Sequence, residues 1–159
     1  MHVLDAGCGP GRVSVPAARR VGPSGRVVAL DLQASMLEKL KKRQAEAQAG
    51  DIRPVLASLE RLPFRENSFD RALLVTVLGE VSNPGAALGE IRRVLKAGGV
   101  LSITEVLPDP HYQRASVVRR LAEEAGLRLV ERFGGVLAYT TNWLKPVFED
   151  TDQKAQRGG

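Results

Sequence analysis

The fold of this 159-residue chain is decided by the stretch Val3-Leu4-Asp5-Ala6-Gly7-Cys8-Gly9-Pro10-Gly11. Its apolar start predicts a strand, the strand ends in an acid, and three glycines follow at alternate positions. Because glycine has no Cβ, such a turn can adopt positive φ angles and bring bare backbone against a ligand. The stretch predicts a turn that binds a nucleotide-like cofactor. A tight strand-to-helix turn that binds nothing is the alternative at this point.

The spacing of the glycines argues against a dinucleotide. The dinucleotide fingerprint G-x-G-x-x-G needs a third glycine three residues after the second, and Arg12 occupies that position. A nicotinamide-dependent oxidoreductase is therefore the least favoured enzyme class.

Composition predicts a soluble globular protein, with 43% hydrophobic and 26% charged residues. No apolar run approaches the roughly 20 residues that span a bilayer, and no secretory signal is recognisable, so we expect a cytoplasmic protein. The net charge of +5 permits an anionic partner, but aromatic residues make up only 4% of the chain, which disfavours binding of single-stranded nucleic acid. The lone Cys8 excludes an internal disulfide, and its spacing from His2 and His111 does not indicate a zinc site.

Short β-branched runs alternate with amphipathic stretches, which predicts an α/β fold with parallel strands and crossover helices. Ser35 and Glu38 stand at capping-box spacing and predict a helix start, and Pro84 predicts another. Gly134-Gly135 predicts the turn of a terminal hairpin. The predicted strands are residues 2–5, 26–30, 52–56, 69–77, 100–106, 128–133 and 136–143. We expect one domain over residues 1–146 and a disordered tail over residues 147–159.

Three further motifs indicate a family. Asp31 follows the second strand, residues 62–70 read LPFRENSFD, and residues 90–99 read EIRRVLKAGG. Together with the glycine turn they resemble the class I S-adenosylmethionine-dependent methyltransferases, in the group related to the ubiquinone and menaquinone biosynthesis enzymes. The resemblance implies a Rossmann-like seven-stranded sheet, mostly parallel with an antiparallel last strand, with helices on both faces. It also implies S-adenosylmethionine as the cofactor.

The resemblance assigns each cofactor contact to a position in this sequence. The turn that follows Asp5 is expected under the methionine part, Asp31 at the ribose and Leu32 on one face of the adenine. Ser58 stands where the family usually has an aspartate, so its contact to the adenine amino group carries no charge. The predicted cofactor-binding residues are Asp5, Gly7, Cys8, Gly9, Gly11, Asp31, Leu32, Ser58, Leu59, Thr76 and Val77.

The sequence does not single out a catalytic base. The candidates for assisting a hydroxyl or acidic carbon are Glu80, Glu105, His111 and Tyr112. The end of the fourth strand reads VTVL, without the motifs of nucleic-acid methyltransferases, so the expected acceptor is a small molecule such as a quinone precursor or a lipid.

Two alternatives stay open. One is a non-catalytic domain that binds S-adenosylmethionine or a partner, and the other is a nucleic-acid methyltransferase. Family members usually carry a helical segment before the first strand, which here starts at residue 2. We therefore expect a cofactor site partly open to water unless a second subunit covers it in a homodimer.

Overall fold

Seven strands form one sheet in the computed structural model, which describes residues 1–147. The strand order is β3-β2-β1-β4-β5-β7-β6, and β7 alone runs antiparallel to its neighbours. This confirms the predicted α/β class and the antiparallel last strand. The disordered tail predicted for residues 147–159 lies, from residue 148 onward, outside the described residues.

The elements alternate along the chain as the hydrophobic pattern predicts. The strands are β1 (His2–Ala6), β2 (Arg26–Asp31), β3 (Ile52–Leu56), β4 (Phe69–Val75), β5 (Leu95–Val106), β6 (Arg128–Gly134) and β7 (Ala138–Leu144). The helices are α1 (Ser14–Val21), α2 (Ala34–Ala47), α3 (Pro84–Val94) and α4 (Ala115–Glu124). None of these helices combines the length and the apolar composition needed to cross a membrane.

The strand order places a crevice at the end of β1. This strand pairs in parallel with β2 on one side and with β4 on the other. The chain therefore builds β2 and β3 toward one edge of the sheet and then returns past β1 to build β4 and β5 toward the other edge. In open α/β sheets, ligands bind beyond the carboxyl ends of the strands at such a switch point. The glycine turn, which directly follows β1, therefore stands at the expected binding edge.

Helices cover both faces of the sheet. Successive side chains of a strand point to opposite faces, and β1 shows this: Val3 belongs to the buried cluster that contains Val15 of α1, whereas Leu4 belongs to the cluster that contains Ile91 of α3. The larger core lies under α3 and α4 and includes the fully buried Trp143. Asp5 shares the face of Val3, which brings its carboxylate toward α1.

Three local predictions differ from the structure. The helix α2 begins after Gln33, so Ser35 lies inside it and the predicted capping box is wrong. The strand β4 ends at Val75 because Thr76 has a φ of +55°, a left-handed conformation that extended chain cannot adopt. The strand β5 begins at Leu95, directly after α3, so Gly98 lies inside it.

Residues 57–68, which join β3 to β4, are held by two charged residues of α3. The Glu90 carboxylate accepts a hydrogen bond from the Leu62 N–H at 2.8 Å. The Arg93 guanidinium donates to the Phe64 carbonyl at 2.8 Å and to the Leu62 carbonyl at 3.0 Å, and Glu90 and Arg93 form an ion pair at 2.6 Å. The two sequence motifs around residues 62–70 and 90–99 therefore form one structural unit, which fixes a wall of the crevice.

Candidate functional site

A cavity of about 620 Å³ lies at the carboxyl ends of β1, β2 and β4. Ten of the eleven predicted cofactor-binding residues line it. The exception is Gly11, which is buried; a Cβ built on it would lie 2.2 Å from a terminal methyl carbon of Leu40. Gly11 thus allows α2 to pack closely on the turn instead of facing the cavity.

The glycine turn adopts the backbone that its composition predicts. Gly7, Gly9 and Gly11 have φ angles of +76°, +50° and +80°, and the Gly7 and Cys8 N–H groups both donate to the Leu30 carbonyl of β2. A Cβ on Gly7 would lie 2.6 Å from both γ-carbons of Val77. A Cβ on Gly9 would meet nothing within 4 Å, so the missing side chain leaves open space in the cavity wall.

Asp31 joins the glycine turn to the start of α2. One carboxylate oxygen accepts the Gly9 N–H at 2.8 Å, and the other accepts the Gln33 N–H at 2.9 Å. Each carboxylate oxygen retains a lone pair for a further donor. An acid held by two backbone groups beside open space, with the exposed Leu32 next to it, fits the ribose and adenine of S-adenosylmethionine.

Asp5 lies beneath the turn as a structural group. Its side chain is 2% exposed and accepts a hydrogen bond from the Ser14 hydroxyl at the start of α1. Burial raises the pKa of the Asp5 carboxyl from its ordinary 3.8 to about 6, against the lowering effect of the Ser14 hydrogen bond. The contact ties β1 to α1 across the glycine turn.

The raised pKa of Asp5 predicts a pH-dependent stability. The folded state binds this proton more tightly than the unfolded chain, so the contribution of Asp5 to stability falls as pH rises from about 4 to about 7. We expect Asp5→Asn, which cannot ionise, to make that fall shallower. Urea unfolding at about pH 4.5 and pH 7.5 measures it, and equal slopes in both proteins would contradict the assigned cause.

Cys8 contributes a small side chain to the wall of the cavity. Burial raises the pKa of its thiol to about 12, and the sulfur contacts the Gly9 carbonyl at 3.5 Å. Such a thiol is protonated at neutral pH and is a poor nucleophile. Within residues 1–147, no group of three or more histidine, cysteine or acidic side chains is placed to hold a metal ion.

The far wall comes from the segments after β3 and β4. The Ser58 hydroxyl accepts the Glu60 N–H at 3.2 Å, and the Glu60 carboxylate accepts the Asn83 N–H at 2.8 Å. Sequence reasoning did not select Glu60, which lines the cavity beside Ser58. On the other side the Thr76 hydroxyl donates to the Val75 carbonyl at 2.7 Å. Both methyl groups of Val77 lie against the glycine turn at Gly7.

The four candidate bases are not brought together. Glu80 lines the cavity, whereas Glu105, His111 and Tyr112 do not. The Glu105 carboxyl is buried, accepts the Gln113 N–H at 3.0 Å, and has its pKa raised by burial. The Tyr112 hydroxyl donates to the Val136 carbonyl at 2.7 Å, so it holds the hairpin turn.

Sequence comparison places this site in a known family. Residues 4–103 match the family model described as a methyltransferase domain. A ubiquinone/menaquinone biosynthesis C-methyltransferase from Hahella chejuensis is 41% identical over 104 residues, which cover 65% of this chain and 42% of that protein. A 2-phytyl-1,4-naphtoquinone methyltransferase from Trichormus variabilis is 39% identical over 132 residues, 82% of this chain and 58% of that protein. The chain thus spans less than two thirds of the length of either relative.

Solved structures show the same fold. An S-adenosylmethionine-dependent methyltransferase from Aquifex aeolicus superposes with a TM-score of 0.83 over 91% of this chain and 81% of that chain, at 23% identity. The [4+2]-cyclase SpnF superposes with a TM-score of 0.80 over 92% of this chain and 75% of that one, at 19% identity. At these identities the likeness concerns the fold alone, and one fold hosts different reactions.

Proposed function

This chain belongs to the class I S-adenosylmethionine-dependent methyltransferase family, and we propose that it transfers the methyl group of S-adenosylmethionine to an apolar small molecule of the quinone type. The observation that carries the cofactor assignment is the placement of Asp31. Its carboxylate is held by the Gly9 and Gln33 N–H groups at the edge of the 620 Å³ cavity. The acceptor class rests on the quinone substrates named for the relatives.

The bound cofactor supplies a methyl group on a sulfonium centre, an electrophile that needs no protein nucleophile. The role of this chain's own residues is to bind the cofactor and to orient it. Asp31 would accept hydrogen bonds from the ribose hydroxyls of the cofactor, and the open space at Gly9 would let the cofactor lie against the backbone. Val77 lines the cavity on the side of β4 with an apolar side chain. Holding two reactants at about 3 to 3.5 Å accounts for much of the rate in such reactions.

The surface beside the cavity supports an apolar acceptor. Five exposed large apolar side chains cluster at the carboxyl end of β5 and at the β6–β7 turn: Val106, Leu107, Phe133, Val136 and Leu137. The Leu107 N–H donates to the Leu137 carbonyl at 2.8 Å, which joins the two segments. Because β4 and β5 are parallel, this cluster lies at the same edge of the sheet as the cavity. A quinone precursor with a hydrocarbon chain matches such a surface.

Glu80 is the residue we propose as the base, if the acceptor must lose a proton. It is the one candidate of the four that lines the cavity, and it is exposed. A base needs to come within about 3 Å of the proton that it removes, directly or through one water.

A domain that binds the cofactor without catalysis is the second candidate. It is favoured by the position of Glu105, His111 and Tyr112 outside the cavity, which leaves the acceptor side with few ionisable groups. Incubation with methyl-labelled S-adenosylmethionine and a demethylated naphthoquinol separates the two. Labelled quinol supports the enzyme, whereas cofactor binding without labelled product supports the binding domain. A parallel incubation with transfer RNA tests the nucleic-acid alternative.

The class of cofactor can be tested by binding alone. We expect S-adenosylhomocysteine to bind and NAD and NADP to bind negligibly, because Arg12 stands where the dinucleotide fingerprint has its third glycine, which allows close packing of helix on strand. Isothermal titration calorimetry with the three ligands measures this. Competitive NAD binding at micromolar concentration would reduce the assignment to a general nucleotide fold.

A further inference from the structure

The helices α1 and α2 cover only part of their face of the sheet. The apolar cluster beneath them extends over β1, β2 and β3 and reaches β4 at Leu73, but within residues 1–147 it includes nothing from β5, β6 or β7. This uncovered part of the face carries four half-buried polar side chains of β5 and β7: Ser102, Thr104, Thr140 and Asn142. It therefore offers polar groups that a ligand can reach.

One row of paired residues crosses the uncovered face and starts at the cavity. Val75 of β4, which lines the cavity, pairs with Thr104 of β5. Thr104 pairs with Thr140 of β7, and Thr140 pairs with Phe133 of β6. Residues paired directly across neighbouring strands share a face of the sheet. With strands about 4.8 Å apart, the row runs roughly 14 Å from the cavity wall to the exposed Phe133.

The two threonines in the middle of the row form a hydrogen-bonded pair. Their Oγ1 atoms lie 2.8 Å apart, and neither the Thr104 nor the Thr140 hydroxyl has another hydrogen-bond partner among residues 1–147. Two hydroxyls carry two hydrogens, and the bond between them uses one. The second hydrogen and the unused lone pairs are therefore available to a ligand. Such a pair donates to a carbonyl oxygen and accepts from a hydroxyl group equally well.

An apolar surface begins directly beside the hydroxyl pair. Val106 lies two residues after Thr104 in β5, so it shares the face of Thr104, and its side chain is exposed. Phe133, at the end of the row, is exposed as well. Both belong to the apolar cluster described above. The cavity, a polar pair and an apolar surface thus follow one another across the strands.

We propose that the Thr104–Thr140 hydroxyl pair binds an oxygen substituent on the ring of the methyl acceptor, whose hydrocarbon part lies over Val106 and Phe133. The inference rests on the proposed function and names the polar group that the acceptor carries. An aromatic ring with an oxygen substituent and a hydrocarbon chain matches the order of groups along the row. The two threonines are then specificity-determining residues on the acceptor side of the site.

Two small ligands that differ in one group test the hydroxyl pair. 1-Naphthol carries a ring hydroxyl, and 1-methylnaphthalene has a methyl group of similar size in its place. In protein saturated with S-adenosylhomocysteine, we expect the double variant Thr104→Val with Thr140→Val to bind 1-naphthol about tenfold more weakly. It should bind 1-methylnaphthalene at least as well as the wild type does. Equilibrium dialysis measures these affinities without any activity assay.

Valine keeps the shape of threonine and is well tolerated in strands, so the variants should fold and bind S-adenosylhomocysteine as the wild type does. Each single variant, Thr104→Val or Thr140→Val, should lose less affinity for 1-naphthol than the double variant, because the remaining hydroxyl keeps its own hydrogen. The single variants also answer the question if the double variant does not fold.

Ser102→Ala is the matched control. The Ser102 hydroxyl donates to the Asn142 side chain at 2.7 Å, on the same two strands as the threonine pair. Ser102 pairs with Leu73, which does not line the cavity, so this hydroxyl lies one row further from the proposed acceptor. Binding of 1-naphthol should stay unchanged in this variant.

Three results would overturn the inference. The first is unchanged 1-naphthol binding, or an equal loss of both ligands, in the double variant. The second is a wild-type protein that binds S-adenosylhomocysteine but not 1-naphthol, which leaves the cofactor assignment intact. The third is a wild-type dimer, seen by light scattering, that dissociates in the double variant, because the face would then belong to a second copy of the chain. Failure of the wild type to bind S-adenosylhomocysteine would instead overturn the proposed function, and the inference with it.

Discussion

Asp31→Ala is expected to lower the affinity for S-adenosylhomocysteine by about ten- to a hundredfold, and methyl transfer with it. A hydrogen bond to a charged group contributes roughly 1.5 to 3 kcal/mol, and Asp31 is assigned the ribose hydroxyls. The substitution also leaves the Gly9 and Gln33 N–H groups without their acceptor, which loosens the turn that forms the cavity wall. Calorimetric titration gives the affinity, and circular dichroism reports whether the fold is retained.

One further variant of Asp31 and one control elsewhere separate the effect of charge from that of shape. Asp31→Asn keeps one oxygen acceptor and nearly the same volume, so it should lose less affinity than Asp31→Ala. Glu38→Ala is the control for net charge, because Glu38 is an exposed acid of α2 outside the cavity. If S-adenosylhomocysteine binds equally well to Asp31→Ala and to the wild type, Asp31 does not hold the ribose and the cofactor assignment fails.

Gly7→Ala is expected to lower the free energy of unfolding by about 2 to 5 kcal/mol. The φ of +76° places this residue in the left-handed region, which costs an alanine roughly 1–2 kcal/mol. The new Cβ would also lie 2.6 Å from both γ-carbons of Val77, a stiff β-branched side chain, and overpacking of this kind costs roughly 1–3 kcal/mol. Urea unfolding followed by fluorescence of Trp143 measures the change.

Gly89→Ala is the matched control for this substitution. A Cβ on Gly89, which lies in α3, meets nothing within 4 Å, so alanine should be neutral or stabilising by up to about 1 kcal/mol. Gly7→Ala can also be made in a Val77→Ala background, where the clash is absent and only the backbone cost remains. We expect Gly7→Ala to lose less stability in that background than in the wild type. A loss for Gly7→Ala no larger than that for Gly89→Ala would contradict both the backbone cost of the positive φ and the clash with Val77.

The prediction of the fold from the sequence rested on residue types in short segments and on the periodicity of apolar residues. The β-branched runs placed all seven strands, and the starts of β1, β2, β3, β4 and β6 agree with the structure. The glycine turn needed positive φ angles, which its residue type permits, and the structure has them. The ends of elements were less predictable. Thr76 ends β4 because it adopts a positive φ, which its residue type does not predict. The residue before α2 is Gln33 and not Ser35.

The sequence by itself determined the fold class and the turn that forms the cavity, because alternating apolar residues and glycine spacing act over a few neighbouring positions. Tertiary packing decided which residues of one motif face the cavity. Gly9 and Gly11 are the same residue type in the same turn, but α2 packs Leu40 onto Gly11 and leaves Gly9 open. Packing also placed Glu80, in the segment after β4, in the lining and Glu105, near the end of β5, in the core, although both lie toward the same edge of the sheet. Such differences depend on contacts between segments far apart in sequence, which no local pattern encodes.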